Sequence, residues 1–371
     1  MTSSPRPLIL AEDDPFIRIV QVVLDPETSA ERLAAFADFF AHDLPDFDGW
    51  RRKVQQAAAG LYPAEVRMVE SQVELRAGLP DARAVIVESL EMGAAELALA
   101  PRLAVVQKYG TILRGIDTAA CAARDTPVLT LRRRANVACA EHTLASMLVL
   151  AKKLNTITGI ISYEQLEALG HHPQPFDRRH TANSGWARIS GLQMLYESTL
   201  GIIGFGEIGR ELALRAAAFG MRVLYYQRTR LPEAEEQRLH ATYAPLEQLL
   251  AESDWVSLQL PRGAGTRDFL NRERLAMMKP GACLINTAQA DQVERGALID
   301  ALRSGRLAGF ALDPLYEEPG RAGDELLTLP NVLMTPHTAA QPRFNALRDM
   351  EDLIGGIAAA VGTHTRPTGG R

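Results

Sequence analysis

Residues 199–220 read TLGIIGFGEIGRELALRAAAFG. An apolar run at 200–205 leads into Gly204, Gly206 and Gly209, spaced as G-x-G-x-x-G. Ile208, Leu212 and Ala216 then recur at helical spacing, and a second apolar run covers 221–226. Strand, glycine turn, helix and strand in this order form the unit that holds a dinucleotide. Gly204 permits the tight turn, Gly206 lets the backbone approach a pyrophosphate, and Gly209 lets the helix pack close to the strand. The helix N-terminus offers the backbone N–H groups of Glu207 and Ile208 and the positive end of a dipole to the phosphates.

In units of this kind an acidic residue at the end of the second strand takes the ribose hydroxyls of NAD. Here that strand ends Tyr225, Tyr226, Gln227, Arg228, Thr229, Arg230. The acid is missing and two guanidiniums are gained. A 2′-phosphate would meet positive charge and no repulsion. The sequence therefore predicts NADP(H) as the cofactor, with NAD(H) the weaker ligand, and Gln227, Arg228 and Arg230 around the phosphate.

The chain has 371 residues, a length that suggests two domains of ordinary size. Apolar residues make up 47%, enough for full cores, and the net charge of −5 gives no basic surplus for a nucleic acid. Three scattered cysteines, Cys121, Cys139 and Cys283, form no Cys-x-x-Cys pair, so neither a disulfide framework nor a zinc site is indicated. The start, MTSSPRPLIL, has no long apolar signal segment. The apolar stretch 137–154 is broken by Glu141, His142, Lys152 and Lys153 and does not suit a membrane. The expectation is a cytoplasmic protein acting on a small molecule, with no nucleic-acid or membrane partner.

Short apolar runs at 7–10, 66–69, 84–87 and 103–108 alternate with helical patterns, which implies a first doubly wound domain. Residues 25–62 read as helical material inserted early in it. Glu12, Asp13 and Asp14 follow the first strand; without later βα units at the spacing of a phosphoacceptor pocket, they are read as a solvated loop. Tyr109, Gly110 and Thr111 end a strand, where doubly wound sheets bind ligands, and are candidates for substrate contact. Arg132, Arg133 and Arg134 precede a long helix at 137–154. The stretch 156–198 reads as a loop or arm. Its His171, His172 and His180 beside Asp177 lack the spacing of a metal site. Beyond the fingerprint, strands at 255–260, 282–286, 309–312 and 332–334 alternate with helices at 246–251, 272–278 and 292–303. A last helix at 342–361 leads into a Gly/Pro-rich tail expected to fray.

With these elements in place, the stretch from about 103 to 337 resembles the D-isomer-specific 2-hydroxyacid dehydrogenase family. The marks are TLGIIGFGEIGRELA, SLQLPRGAGTRDFLNRERLAMMKPGACLINTA, ALIDALRSGRLAGFALDPLYEEP and NVLMTPHTAAQ, in that order. The resemblance implies an α/β protein of two doubly wound parallel-sheet domains. A Rossmann nucleotide-binding domain (136–339) is inserted into a flavodoxin-like substrate domain (1–135 plus 340–371). It further implies an NAD(P)-dependent dehydrogenase or reductase and a homodimer joined through the nucleotide domain. The family's acid/base His falls on His337 in Thr335-Pro336-His337, and its carboxylate partner on Glu318, five residues after Asp313. Pro261, Thr287 and Asp313 are implied near the adenosine or nicotinamide. The chemistry is sound, since imidazole titrates near the working pH and a carboxylate on its far nitrogen orients it.

One departure stands out. Where the family has N-T-A-R-G-x-x-V-D, this chain has Asn286-Thr287-Ala288-Gln289-Ala290-Asp291-Gln292-Val293-Glu294, so Gln289 takes the place of the substrate-binding Arg. Arg295-Gly296 is rejected as a displaced copy because the following ALIDALRSGRLAGFALD matches without a gap. The substrate loop also differs, with Ile112 at the second glycine of G-x-G-x-D-N-I-D. Three accounts follow. The substrate lacks the usual α-carboxylate; or the carboxylate is held by Lys108, Arg132, Arg133, Arg134 or Arg343; or the chain binds NADP(H) as a non-catalytic sensor or scaffold. Retention of Glu318 and His337 argues against the last.

Overall fold

The computed structural model describes residues 6–180 and 185–364. The tail expected to fray lies outside them, as do four residues of the arm. The chain divides into two compact units: Val137–Ala340 forms one, and the chain before and after it forms the other. Both are parallel α/β sheets, in agreement with the fold class expected from the sequence.

The first unit has strands β1 (Leu8–Glu12), β2 (Glu65–Val69), β3 (Ala82–Val87), β4 (Val105–Lys108) and β5 (Val128–Leu129), in the spatial order β2-β1-β3-β4-β5. Parallel strands covered on both faces need continuous apolar sequence, and Ile9, Leu10 and Ala11 are all fully buried. Between β1 and β2 run three helices, Arg18–Leu24, Ala30–Phe40 and Phe47–Ala57, the early insertion. Ser29 and Asp46 cap the latter two by accepting from the backbone N–H groups of Arg32 and Gly49. A run of rings joins them: Phe39 to Phe40 at 5.0 Å, Phe40 to Phe47 at 5.8 Å and Phe47 to Trp50 at 5.4 Å. The Trp50 indole N–H donates to Glu351 on the last helix, Phe344–His364. That helix adds Met350, Leu353, Ile354 and Ile357 to the same core.

The acidic run after β1 is a correction to the sequence reading, which took it as solvated. Glu12 crosses to the loop after β3. Its carboxylate accepts from the backbone N–H groups of Glu88 (2.6 Å), Ser89 (2.8 Å) and Leu90 (3.0 Å) and from the Ser89 hydroxyl. Asp13 pairs with Arg18 at 2.6 Å, and Asp14 accepts from the N–H of Phe16 and Ile17. Three N–H groups converging on one loop require an anion, and the chain supplies its own.

The second unit has strands β6 (Thr199–Ile203), β7 (Arg222–Tyr226), β8 (Ala241–Tyr243), β9 (Trp255–Leu258), β10 (Ala282–Asn286), β11 (Leu307–Leu312) and β12 (Val332–Met334). Their order, β12-β11-β10-β9-β6-β7-β8, reverses direction between β6 and β9, which is where open α/β sheets bind ligands. The helix expected at 292–303 starts at Arg295, behind a single 3-10 turn at Ala290–Gln292. The cause is Gln292, fully buried, whose amide donates to the carbonyls of Leu260 and Pro261 and so belongs to the loop. Among the described residues no helix is long and apolar enough to cross a membrane.

Burial pushes the Glu12 carboxyl up, but its bonds from Leu90, Ser89 and Glu88 prevail and hold it below the usual carboxylate range. Its stabilisation is therefore complete above about pH 4.5 and fades as pH falls through the lowered value. Glu12→Ala should cost about 1–3 kcal/mol at pH 7, the penalty for stranded donors. Urea melts should show the difference from the parent shrinking in acid.

Candidate functional site

The sequence-predicted residues of the second unit gather along one edge of its sheet, because parallel strands all end on the same side. Gly204 follows β6, Gln227 follows β7, Pro261 lies just past β9, Thr287 follows β10, Asp313 follows β11 and Thr335 follows β12.

The three fingerprint glycines answer to different constraints. Gly204 has φ +92°, and a Cβ there would stand 2.4 Å from the Gln259 carbonyl oxygen on the neighbouring strand end. A Cβ on Gly209 would stand 2.6 Å from the Gly204 carbonyl oxygen, so the helix Glu207–Ala218 could not approach β6. Gly206 is exposed with φ −74°, and a Cβ there would meet no protein atom within 4 Å. Nothing inside the protein demands glycine at 206, and the open turn leaves room for a ligand beside it. The residues present therefore fit a dinucleotide pyrophosphate.

At the end of β7, Gln227 donates to the Thr229 carbonyl at 2.6 Å, and Arg228 is exposed. Arg230 is differently placed. Its guanidinium is forked on the Glu236 carboxylate at 2.9 and 2.8 Å. Glu236 also accepts from the buried Tyr225 hydroxyl at 2.7 Å, and burial with that contact pushes the phenol up to about 12. The Arg230 charge is thus already matched, which the sequence reading missed, since Glu236 stands on the helix Glu233–Arg238 among other acids.

His337 and Glu318 are brought together. The imidazole Nδ1 lies 2.9 and 3.0 Å from the two Glu318 oxygens, and one of those oxygens also accepts from the Leu315 N–H at 2.9 Å. The His337 bond, ahead of the Leu315 one, holds the Glu318 carboxyl below its ordinary range. Both side chains are about half exposed, 55% and 43%. A carboxylate only accepts, so Nδ1 carries a proton and Nε2 is the ring atom left for chemistry. Asp313, implied near the cofactor, is 1% exposed. It accepts from Thr335 Oγ1 (2.6 Å) and from the N–H groups of Thr338 and Ala339 (2.8 Å each).

Gln289 is half-buried on a tight loop in which the Asn286 side chain donates to the Gln289 carbonyl at 2.7 Å and accepts from the Ala288 N–H. Thr287 Oγ1 bonds Thr143 at 2.9 Å and Gln259 at 3.0 Å. Arg295 is held by Asp324 at 2.7 Å and lies over the Tyr316 ring, away from the role of a displaced substrate Arg.

In the first unit, Tyr109 is 3% exposed with Arg133 over its ring at 4.9 Å, Gly110 is buried and Thr111 is exposed. The Lys108 ammonium is bonded to the Glu88 carbonyl. Arg134 pairs with Asp349 and Asp352 at 2.7 and 2.8 Å. Arg343 donates to the Phe39 carbonyl and lies 4.2 Å over its ring. Among the described residues no group of three or more His, Cys, Asp or Glu is placed to hold a metal ion.

Residues 167–339 match the family model described as D-isomer specific 2-hydroxyacid dehydrogenase, NAD binding domain. Glyoxylate reductase of Pyrococcus furiosus is 37% identical over 257 residues, which span 69% of this chain and 71% of that protein. The crystal structure of the TT0316 protein from Thermus thermophilus is 30% identical with a TM-score of 0.50, covering 84% of this chain and 94% of that one. D-mandelate dehydrogenase of Rhodotorula graminis, in its apo form, shares the fold at a TM-score of 0.54 and 22% identity, over 95% of this chain and 93% of that one.

Two alanine substitutions separate the glycine roles. Gly204→Ala should destabilise by about 1–3 kcal/mol through left-handed strain and backbone overlap. Gly206→Ala should leave the melting temperature unchanged while weakening dinucleotide binding tenfold or more. Calorimetry with and without dinucleotide reads both; a destabilised Gly206→Ala would contradict this division.

Proposed function

Because the chain belongs to the D-isomer-specific 2-hydroxyacid dehydrogenase family, and so is an NAD(P)-dependent oxidoreductase, we propose that it uses NADP(H) and reduces a carbonyl that lacks the usual neighbouring carboxylate. The observation that carries the substrate reading is Gln289 just past β10, a neutral amide at the position that the resemblance gives to the family's Arg.

The bound nicotinamide would supply the hydride. His337 Nε2 then donates a proton to the carbonyl oxygen as negative charge grows on it. Glu318 fixes the ring through Nδ1 and so holds Nε2 towards the carbonyl oxygen. Gln289 offers one neutral hydrogen bond. An Arg at that position would add charge stabilisation, and losing one oxyanion donor costs about 3 kcal/mol, roughly a hundredfold in rate. Arg134 is already paired with two aspartates, and Arg343 is stacked on Phe39. Neither suits the missing role, which narrows a relocated clamp to Lys108, Arg132 and Arg133; activity on keto acids would point to one of these. The 2′-phosphate falls chiefly to Arg228, with Gln227 removing the repulsion an acid would cause. Pro261, Thr287 and Asp313 at the strand ends would lie near the adenosine or nicotinamide of the bound cofactor, as the family resemblance implies. In the first unit the exposed Thr111 is the substrate-loop residue best able to touch a ligand. Ile161, Tyr163, Leu169, Trp186, Met194 and Tyr196 leave apolar surface on the arm, and this supports a homodimer formed through the nucleotide-binding unit.

Oxidation of NADPH against two panels tests the substrate class. One panel holds 2-keto acids, beginning with glyoxylate, after the Pyrococcus relative. The other holds ketones and aldehydes without a neighbouring carboxylate. Activity on the second panel alone is expected; activity on keto acids alone would overturn the reading. Gln289→Arg should raise kcat/KM for keto acids about a hundredfold.

Cofactor choice is tested by dissociation constants. NADPH should bind at least tenfold more tightly than NADH, and Arg228→Ala should erase the difference. Equal affinities in the parent would refute it. Light scattering should give a dimer mass, and Ile161→Asp with Met194→Asp a monomer.

A further inference from the structure

His337 is not glycine, yet its backbone lies in the left-handed region at φ +54°. Such a conformation is strained and persists only where the surroundings over-determine it. Here they do. The His337 N–H donates to the carbonyls of Asp313 (3.0 Å) and Thr335 (2.9 Å). The Asp313 carboxylate holds the next two backbone N–H groups, and the Thr335 hydroxyl donates to the same carboxylate.

A hydroxyl has one hydrogen. Thr335 gives it to Asp313, so its contact with His142 Nε2 at 3.1 Å must be one in which His142 donates. This places a proton on His142 Nε2 and orders a relay: His142 to Thr335 to Asp313 to the loop of His337. The same His142 nitrogen lies 3.7 Å from Asp313 Oδ1. The start of the relay is rigid. His142 stands on the helix Arg134–Ala151, whose Ala140, Leu144, Met147 and Ala151 are buried in the core of the second unit. The neighbouring Thr143 ties that helix to Thr287.

We propose that His142 is a positioning residue for the reaction: through Thr335 and Asp313 it holds the backbone of His337 in the strained conformation that presents Nε2. The proposal rests on His337 being the acid/base. It deepens that reading by extending the machinery to a helix remote in sequence.

The test uses the full chain with NADPH and whichever panel carbonyl the parent reduces best. His142→Leu should lower kcat at least tenfold, with KM and the NADPH dissociation constant within twofold. His142→Gln, which keeps an N–H donor, should recover to within threefold of the parent. Thr335→Val should match His142→Leu, and the double variant should lose no more than either alone. Amide exchange at Thr338 and Ala339 should quicken at least tenfold in His142→Leu and not in His142→Gln, a readout independent of turnover. Full kcat in His142→Leu, multiplicative losses in the double variant, or unchanged amide exchange would overturn the proposal. His337→Ala distinguishes the two levels. If it keeps turnover, the acid/base reading fails; if it is inactive while His142→Leu is not, only the relay fails.

Discussion

The approach of the Gly204 backbone to the Gln259 carbonyl is the constraint on which the second unit depends. It allows the first turn of the fingerprint to sit against the end of β9, so that β6 and β9 can be neighbours although three helices and two strands separate them in sequence. Once they are neighbours, strands extend away on both sides and the crevice lies between them. The second close contact, Gly209 against the Gly204 carbonyl, aims the fingerprint helix at that crevice. A methyl group at 204 would push the turn away from the end of β9, and one at 209 would push the helix off the turn.

Behind the crevice lies a belt of polar side chains that the apolar sheet would not by itself require. Ser257, Gln259, Thr287 and Thr143 form one chain of hydrogen bonds, and His142, Thr335 and Asp313 form another. Both start on the same helix, at adjacent residues. Buried polar networks are costly when partly satisfied and rigid when complete. The His142–Thr335–Asp313 set lies at the strand ends that carry the proposed chemistry, while in the other set Gln259 Oε1 is buried without a hydrogen-bond partner among the described residues.

Much of this was legible in advance. The two sheets, the fingerprint glycines and the His337–Glu318 pair each rest on local signals: continuous apolar runs, fixed glycine spacing and a short ordered motif. What was not legible depends on the direction of side chains and on distant partners. Tyr109 and Lys108 end a strand as expected, but the Tyr109 ring turns into the core and the Lys108 ammonium returns to a neighbouring loop. Successive strand residues point to opposite faces, so a strand end names a place and not a direction. Arg230 looked like a free cation because its partner Glu236 lies a turn into the next helix. His142 was visible only as an interruption of an apolar stretch; its partner Thr335 is 193 residues away. Glu12 reads as a surface acid for the same reason, the N–H groups it binds belonging to a loop 76 to 78 residues later.

That carboxylate gives the two sheets different fates. Each has a crevice where its strand order reverses, and in the first unit it falls between β1 and β3, at the foot of the loop that Glu12 binds. The peptide groups there are arranged as they would be around a bound anion, but the anion is tethered to the polypeptide. The first unit thus carries its own counter-anion at the point where its strand order reverses. At the corresponding place in the second unit, between β6 and β9, the chain has no such carboxylate tether but the glycine turn 204–209.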